Sequence, residues 1–359
     1  MNFRRNRAKR FRQNGKAARP FFSGRACPFI GKKMESEKYF SVEAPSECPL
    51  KPEASAFLEK FPKRGGELIA RAISGAANGN SRMLNLIRAQ RIANSEKISG
   101  AEFFEESAPL RGGGRMRVRV YNSGARNPKP AVIYLHGGGW TIGAIETCAK
   151  VCSDLARDFA VIAPEYRLSP EFPHPAALHD VLDALAWARE NSGRLGIAGG
   201  KISLCGDSAG GHLAIAAAAA AKSEGLPPPE KLALFYPVTS MFYRGGSWEK
   251  FAGGFALDAG AMDAFNLSYC ADAEKRKSAE VSPLEFADVS GFPPTLIVYA
   301  SHDILRDQCF KFAEKLAASG VPARAVCAKG APHIFMTMPD MGECYSFGLG
   351  EAREFLGRE

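Results

Sequence analysis

The sequence predicts an α/β fold with a mostly parallel central sheet and helices on both faces. Strand-like and helix-like segments alternate from about residue 101 onward, which is the order typical of layered α/β proteins. Apolar runs such as 131–135 predict strands that are buried on both faces. Two glycine-rich motifs directly follow the runs 131–135 and 201–205. Both motifs therefore lie at the carboxyl ends of strands, where ligands bind in such folds.

The individual elements follow from hydrophobic periodicity. Residues 116–121 alternate between apolar and polar side chains, which predicts a half-exposed strand, and residues 53–97 have a helical pattern. The further predicted strands are 131–135, 160–163, 201–205, 231–236, 294–300 and 323–328, and the further predicted helices are 146–157, 176–190, 208–222, 307–319 and 343–356.

The net charge of +9 comes from one end of the chain. Residues 1–33 contain eleven Lys and Arg and no acidic residue, so the remainder is nearly neutral. No apolar segment follows the first arginines, so we expect no secretory signal in residues 1–33. Three interpretations of residues 1–33 stay open: translation that starts at Met34, a disordered tail, or a basic arm that binds nucleic acid. We expect no nucleic-acid partner for the remaining chain.

The cysteine pattern and the hydropathy predict a cytoplasmic protein. Nine scattered cysteines without a Cys-x-x-Cys pair argue against a disulfide framework and against a zinc site. No apolar run is long enough to span a membrane. Cys205 lies three residues before a candidate nucleophile. We expect it to be buried in its strand, and the alternative is a thiol whose modification blocks the site.

The second glycine motif, Gly-Asp-Ser-Ala-Gly-Gly at 206–211, predicts a nucleophile. A Gly-x-Ser-x-Gly sequence between a strand and a helix forms a sharp turn that exposes the serine hydroxyl. Ser208 is therefore the candidate nucleophile for acyl transfer. A serine hydroxyl requires a base to accept its proton and donors that stabilise the oxyanion.

The base and the acid follow from chain order. Proteins with this type of turn carry the acid between the serine and the histidine. Of the six histidines, only His333 has a suitable acid upstream of it, namely Asp303 or Asp307 after the strand 294–300. We favour Asp303, because Asp307 is placed to interact with the start of the next helix.

The first glycine motif, His-Gly-Gly-Gly-Trp at 136–140, predicts the oxyanion donors. Glycine loops of this type turn backbone N–H groups toward the reacting carbonyl oxygen. We expect the donors to be the N–H groups of Gly138, Gly139 and Ala209, the last being the residue after the nucleophile.

Together these motifs resemble those of the hormone-sensitive-lipase-like esterases, which are family IV of the α/β-hydrolases. Tyr-Arg-Leu-Ser-Pro-Glu at 166–171, Phe-Pro-His-Pro-Ala-Ala at 172–177 and Ser-Pro-Leu at 282–284 extend the similarity, which runs from about residue 80 to the C-terminus. The resemblance implies an α/β-hydrolase domain over 101–359 and a triad of Ser208, Asp303 and His333. It also implies a helical cap built from segments 34–100 and 239–282.

Three positions depart from the family pattern. Ile304 replaces a proline, Gln308 replaces a glutamate, and Ile334 replaces the glycine after the histidine. A β-branched residue does not easily adopt the backbone conformations open to glycine. We therefore expect the histidine loop to be positioned differently.

The sequence predicts a serine carboxylesterase that hydrolyses short-to-medium acyl esters without a metal or an organic cofactor. Trp248, Phe251, Phe255 and Phe265 are candidates for the lining of an acyl pocket. Alternatives are an amidase or deacetylase with the same triad, and a non-catalytic receptor of the same fold, although such receptors lack the histidine. The partner is a small ester, and the resemblance implies a homodimer.

Overall fold

The computed structural model describes residues 40–62, 64–95, 102–121, 128–338 and 340–358. The predicted basic tail of residues 1–33 lies outside these ranges. Within them, eight strands form one sheet: β1 (Phe103–Pro109), β2 (Arg115–Tyr121), β3 (Lys129–Leu135), β4 (Ala160–Pro164), β5 (Ile197–Asp207), β6 (Leu232–Phe235), β7 (Thr295–His302) and β8 (Ala323–Pro332).

The sheet is antiparallel at one edge and parallel elsewhere. Its spatial order is β1-β2-β4-β3-β5-β6-β7-β8. β2 pairs antiparallel with both β1 and β4, and every later pairing is parallel. The carboxyl ends of β3, β5, β7 and β8 therefore lie at the same edge of the sheet. The predicted α/β class with a mostly parallel sheet is confirmed.

Strand β1 is the one strand that the sequence did not predict. Its first four residues are two phenylalanines followed by two glutamates, so polarity does not alternate along it. Most of the strand is exposed, and it pairs with β2 along its whole length. Its formation depends on hydrogen bonds from a neighbouring strand, which the pattern of a single segment does not reveal.

The described residues form eleven α-helices. These are α1 (Pro52–Lys60), α2 (Gly65–Ala77), α3 (Arg82–Ala93), α4 (Ala149–Leu155), α5 (Ala176–Glu190), α6 (Ala209–Ala220), α7 (Gly246–Lys250), α8 (Ala259–Tyr269), α9 (Ala273–Arg276), α10 (Arg306–Ala318) and α11 (Gly342–Gly357). The predicted helix 146–157 is instead a 3₁₀ turn over Ile145–Cys148 that continues into α4. None of these helices is long and apolar enough to cross a membrane.

Helix α6 packs closely against the sheet, and its small side chains permit this approach. Every residue from Ala209 to Ala217 is buried. The helix begins directly at the end of β5, the strand between β3 and β6. A Cβ atom at Gly210 would overlap the carbonyl oxygen of Leu135 at the end of β3. The start of α6 thus lies directly against the beginning of the first glycine motif.

The two segments predicted to form a cap contact each other. Helix α2 packs against α8, and the N–H of Gly66 donates a 3.1 Å hydrogen bond to Asp258 at the start of α8. A Cβ atom at Gly66 would overlap the same carboxylate. Glycine at this position therefore permits the two segments to meet.

An ion pair between a buried carboxylate and a half-buried arginine joins the loop after β4 to helix α5. Asp180 is fully buried and binds the Arg167 side chain at 2.7 Å and the Arg167 backbone N–H at 2.8 Å. The carboxylate thereby satisfies three donors, the N–H and two guanidinium nitrogens. This contact fixes the start of the loop 166–177, which runs beside the first glycine motif.

Replacing Asp180 should therefore destabilise the fold. We expect Asp180→Ala to lower the free energy of unfolding by about 3 kcal/mol, because it leaves a partly buried guanidinium and a backbone N–H without their acceptor. Urea denaturation followed by circular dichroism measures the change. The matched control is Asp263→Ala, which removes an exposed pair with Arg244 and should cost less than about 1 kcal/mol. Equal effects of both variants would contradict this account of the loop.

Candidate active site

Ser208 lies at the turn between β5 and α6 and has an unusual backbone conformation. Its φ is 54° and its ψ is −116°, a region that residues with a side chain rarely adopt. Hydrogen bonds on both sides hold the turn. The Ser208 N–H donates to the carbonyl of Phe235 at 2.9 Å, and the Ser208 carbonyl accepts from His212 N–H at 3.0 Å.

The glycines of the motif are required by close packing around this turn. A Cβ atom at Gly206 would lie 2.7 Å from the backbone of Gly210, and one at Gly211 would lie 2.8 Å from Pro237. Neither the Gly210 backbone nor the Pro237 ring could make room for a Cβ atom unless the backbone moved. The sequence Gly-x-Ser-x-Gly-Gly therefore specifies a turn that only glycine permits at these positions.

His333 lies directly after β8 and joins the two other residues predicted for the triad. Its Nε2 atom is 3.0 Å from Ser208 Oγ, and its Nδ1 atom is 2.7 Å from Asp303 Oδ2. All three side chains are buried. In this arrangement Nδ1–H donates to the carboxylate, and Nε2 is free to accept the serine proton.

Asp303 follows β7, and both of its oxygens are engaged. Oδ2 binds His333, while Oδ1 accepts a 2.9 Å hydrogen bond from the Leu305 N–H. Asp307, the alternative acid, lies in the first turn of α10 and binds the Ser247 N–H and the Arg306 side chain. The structure thus brings Asp303, and not Asp307, to the histidine.

Ile334 adopts a left-handed conformation with φ of 64°. This conformation is open to glycine and strained for a β-branched residue. The loop nevertheless brings His333 within hydrogen-bond distance of both Ser208 and Asp303. The expectation that Ile334 repositions the histidine loop relative to the family's glycine form stays a prediction. The backbone accommodates the isoleucine, and its side chain lines the pocket beside Ser208.

The two departures near the acid leave its contacts in place. Ile304 is buried, and its carbonyl accepts a 3.0 Å hydrogen bond from Ser247 Oγ. The Gln308 side-chain oxygen accepts from the N–H groups of Thr239 (2.6 Å) and Ser240 (2.9 Å). A glutamate could accept the same two bonds. Among the described residues, the Gln308 amide nitrogen has no hydrogen-bond partner.

The first glycine motif places free backbone donors beside Ser208. Gly138 and Gly139 have φ of 116° and 57°, and both line the pocket that contains Ser208. Within the described part of the chain, no acceptor is paired with the N–H of Gly138, Gly139 or Ala209. The preceding N–H, that of Gly137, donates to Asp207 at 2.9 Å. These donors are available to a carbonyl oxygen at the serine.

Asp207 connects the two glycine motifs, a role that the sequence analysis missed. Its carboxylate lies next to Ser208 in the chain, is fully buried, and accepts from the Gly137 N–H and from the Tyr134 hydroxyl at 3.1 Å. Burial raises the pKa of the Asp207 carboxyl. In the sequence, the position of Asp207 in the Gly-Asp-Ser motif was the feature that could have indicated this role.

Two buried histidines support the same loop. His136 stacks on Tyr166 with ring centroids 4.2 Å apart, and the Nδ1 atom of His212 accepts from the Trp140 indole at 3.3 Å. Burial lowers the pKa of His136 to about 4 and that of His212 to about 3. Both rings therefore stay neutral at physiological pH. Neither ring forms a hydrogen bond with Ser208 in the described structure.

The pocket beside Ser208 is narrow, with a cavity volume of about 80 Å³. Of the four aromatic residues predicted for an acyl pocket, Phe265 lines it. Phe251 and Phe255 instead pack against His302, and Trp248 lies beneath the Arg244 guanidinium. Other apolar lining residues are Phe61, Ile69, Ile142, Val238, Leu257 and Met262. In the described ranges, no group of three or more His, Cys, Asp or Glu side chains is arranged to hold a metal ion.

Residues 132–337 match the sequence model of a protein family whose description is alpha/beta hydrolase fold. The chain belongs to this α/β-hydrolase family. Ethyl acetate hydrolase of Pseudomonas putida is 34% identical over 249 residues, which cover 68% of this chain and 78% of that protein. Lipase 2 of Moraxella sp. is 33% identical over 284 residues, 69% of this chain and 64% of the lipase. The chain thus spans somewhat less than two thirds of the lipase's length.

Solved structures of esterases have the same fold. An esterase from Pyrobaculum calidifontis superposes with a TM-score of 0.72 at 31% identity, covering 86% of this chain and 98% of the esterase. A thermostable esterase from Pseudomonas putida gives a TM-score of 0.75 at 26% identity, covering 87% and 97%. The resemblance to hormone-sensitive-lipase-like esterases, inferred from the motifs, is confirmed by these relatives.

Gly139→Ala should impair turnover without unfolding the chain. A Cβ atom there would overlap the Phe265 ring, and the left-handed φ disfavours alanine, so the loop must shift. We expect kcat on a short ester to fall by about 10²–10³-fold, the effect typical of losing one oxyanion donor. Gly112→Ala, in an open surface turn, is the control and should retain full activity. An unchanged kcat in Gly139→Ala would exclude this loop as the oxyanion site.

Cys205 should be inert to thiol reagents. It is fully buried in β5, and burial raises the pKa of its thiol well above the ordinary value, so the reactive thiolate is scarce at neutral pH. We expect peptide mapping after treatment of the native protein to find Cys205 unmodified, with ester hydrolysis unchanged. Cys48 is the partly exposed cysteine of the described residues, whereas Cys27 lies outside them. Inactivation that Cys205→Ala prevents would reverse this conclusion.

Proposed function

We propose that the chain is a serine carboxylesterase in which Ser208, His333 and Asp303 form the catalytic triad. The observation that carries this proposal is the pair of hydrogen bonds made by one imidazole. His333 contacts the serine hydroxyl at 3.0 Å and the aspartate at 2.7 Å. Relatives named ethyl acetate hydrolase, arylesterase and carboxylesterase support the reaction type.

The first half of the reaction acylates the enzyme. Ser208 Oγ attacks the ester carbonyl while His333 Nε2 takes the hydroxyl proton. Asp303 accepts a hydrogen bond from Nδ1–H, which orients the ring and stabilises the imidazolium. When the tetrahedral intermediate collapses, the bond from the carbonyl carbon to the alkoxy oxygen breaks. The alcohol leaves with the proton held on Nε2.

The N–H groups of Gly138, Gly139 and Ala209 stabilise the negative oxygen of that intermediate. They have no acceptor in the described structure, so they can bind the oxyanion without first breaking a protein hydrogen bond. The carboxylate of Asp207 holds the adjacent Gly137 N–H, which fixes the direction of the loop.

The second half of the reaction releases the acid. A water molecule gives its proton to His333 Nε2 and attacks the acyl carbon, and the proton returns to Ser208 as the ester bond to the enzyme breaks. The chemistry therefore begins and ends with a neutral histidine and a free serine.

Esters with short-to-medium acyl chains fit the pocket best. Its walls are apolar, and Phe265 closes against the glycine loop at Gly139. Residues from α2, α3 and α8 contribute to these walls, and we propose that segments 34–100 and 239–282 act as a cap over the site. The receptor alternative is disfavoured because His333 is present and contacts the serine.

An acyl-length series tests the proposal. We expect the protein to hydrolyse p-nitrophenyl acetate and butyrate much faster than palmitate, because the apolar pocket is bounded by side chains. Ser208→Ala should lower kcat by about 10⁴–10⁶-fold. Ser223→Ala, on an exposed turn after α6, is the matched control and should match wild type.

Two results would contradict the esterase proposal. One is a folded protein that turns over no ester of any length, and the other is activity that survives in Ser208→Ala. A p-nitroanilide analogue of the best ester belongs in the same assay. Faster cleavage of the anilide than of the ester would favour the amidase alternative.

A further inference from the structure

Several apolar residues line the Ser208 pocket, and one charged side chain lies among them. Within the described residues, Arg91 is the one Asp, Glu, Lys or Arg of this lining. It lies near the end of helix α3, and the same pocket is lined by Ser208, His333 and the glycine loop. The remaining lining is apolar or backbone. The sequence analysis gave no sign of this arginine, because it lies in a polar helix about 120 residues before the nucleophile.

The guanidinium of Arg91 has no protein partner within the described ranges. Its Nε atom is sealed from solvent without a hydrogen bond, and Arg91 forms no ion pair with a carboxylate of the described residues. The opposing charge that acts on it most strongly is that of Asp207, whose Oδ1 atom is bound to Gly137 and Tyr134. Burial lowers the pKa of Arg91. Arg91 is half-buried, and its Nε atom is enclosed without a partner. Enclosing a cationic group without a partner is costly, so an anion in the pocket would stabilise it.

An arginine in the preceding turn of the same helix, by contrast, has a full set of hydrogen-bond partners. Arg88 binds both oxygens of Glu171 at 2.8 Å and also donates to the carbonyls of Thr141 and Ser169. These contacts tie α3 to the segments beside the first glycine motif. The helix is thereby fixed, and Arg91, three residues later, is held at the pocket.

Resting on the proposed esterase function, we propose that Arg91 binds a carboxylate group carried by the substrate. The substrate class is then the singly charged esters, either half-esters of short dicarboxylic acids or acyl esters of short hydroxy acids. The planar guanidinium can bind a carboxylate through two parallel hydrogen bonds. Such contacts strengthen in an apolar, water-poor pocket.

The pocket favours a carboxylate over a phosphate monoester. One half-buried cation balances one negative charge, whereas a phosphate monoester carries close to two at neutral pH. The second charge would have no described Lys or Arg in the pocket to balance it. Leaving it in an apolar cavity is unfavourable.

Two isosteric substrate pairs test the proposal and locate the charge. The acyl-side pair is monoethyl succinate and ethyl 4-methylpentanoate, and the alcohol-side pair is acetoxyacetate and isobutyl acetate, so that an isopropyl group replaces the carboxylate in each pair. The measured quantity is the ratio of kcat/KM for the charged ester to that for the neutral ester. We expect Arg91→Met to lower this ratio about 10- to 100-fold in one pair, mainly through KM, with a smaller loss in Arg91→Lys.

The control is Arg82→Met, an exposed arginine of the same helix, which should leave the ratio unchanged. A general defect in Arg91→Met, including partial misfolding, lowers both kcat/KM values by the same factor and leaves the ratio constant. A constant ratio in both pairs would overturn the proposal, and so would a wild-type protein that hydrolyses the neutral esters and neither charged one.

A binding experiment separates this proposal from the esterase proposal. Calorimetric titration of the Ser208→Ala protein with both charged esters measures the Arg91 contact without turnover. We expect binding of one charged ester that weakens about 10- to 100-fold in Ser208→Ala/Arg91→Met. Absence of binding, or binding that does not depend on Arg91, would overturn the proposal even if ester hydrolysis is found. Failure of hydrolysis with Arg91-dependent binding would instead remove the esterase function and keep the anion site.

Discussion

The close approach of the turn at Ser208 to the end of β3 is the constraint on which the rest of the site depends. A Cβ atom at Gly210 would overlap the Leu135 carbonyl, so the absence of that atom permits helix α6 to begin directly beside the glycine loop. The Asp207 carboxylate then joins the two motifs through the Gly137 N–H. Ser208 and the backbone donors are therefore positioned by one contact between neighbouring parallel strands.

Strain is concentrated around this contact, and the surrounding core maintains it. Trp140, Ser208, Tyr236 and Ile334 all have positive φ without being glycine. Each is buried. Neutral histidines, a tyrosine stack and sheet hydrogen bonds surround them. Strained residues of this kind persist where the packing around them determines their conformation.

The electrostatics of the pocket are dominated by few charges in an apolar setting. His136 and His212 are kept neutral by burial, and Asp303 is engaged with His333. Arg91 remains as a cation without a partner in the described structure. A low-polarity pocket strengthens every interaction with this cation and with the backbone donors of the glycine loop.

The sequence by itself determined the fold class and singled out the three side chains that meet at the site. Both rest on local information: the alternation of strands and helices, the glycine spacing around Ser208, and the order of Ser208, Asp303 and His333 along the chain. Only the tertiary structure decided how Ile334 is accommodated, and that Phe265 lines the pocket while Phe251 does not. It also showed that Arg91 lacks a partner whereas Arg88 has one. These outcomes depend on contacts between segments far apart in the chain, and such contacts leave no periodic signal in any one segment.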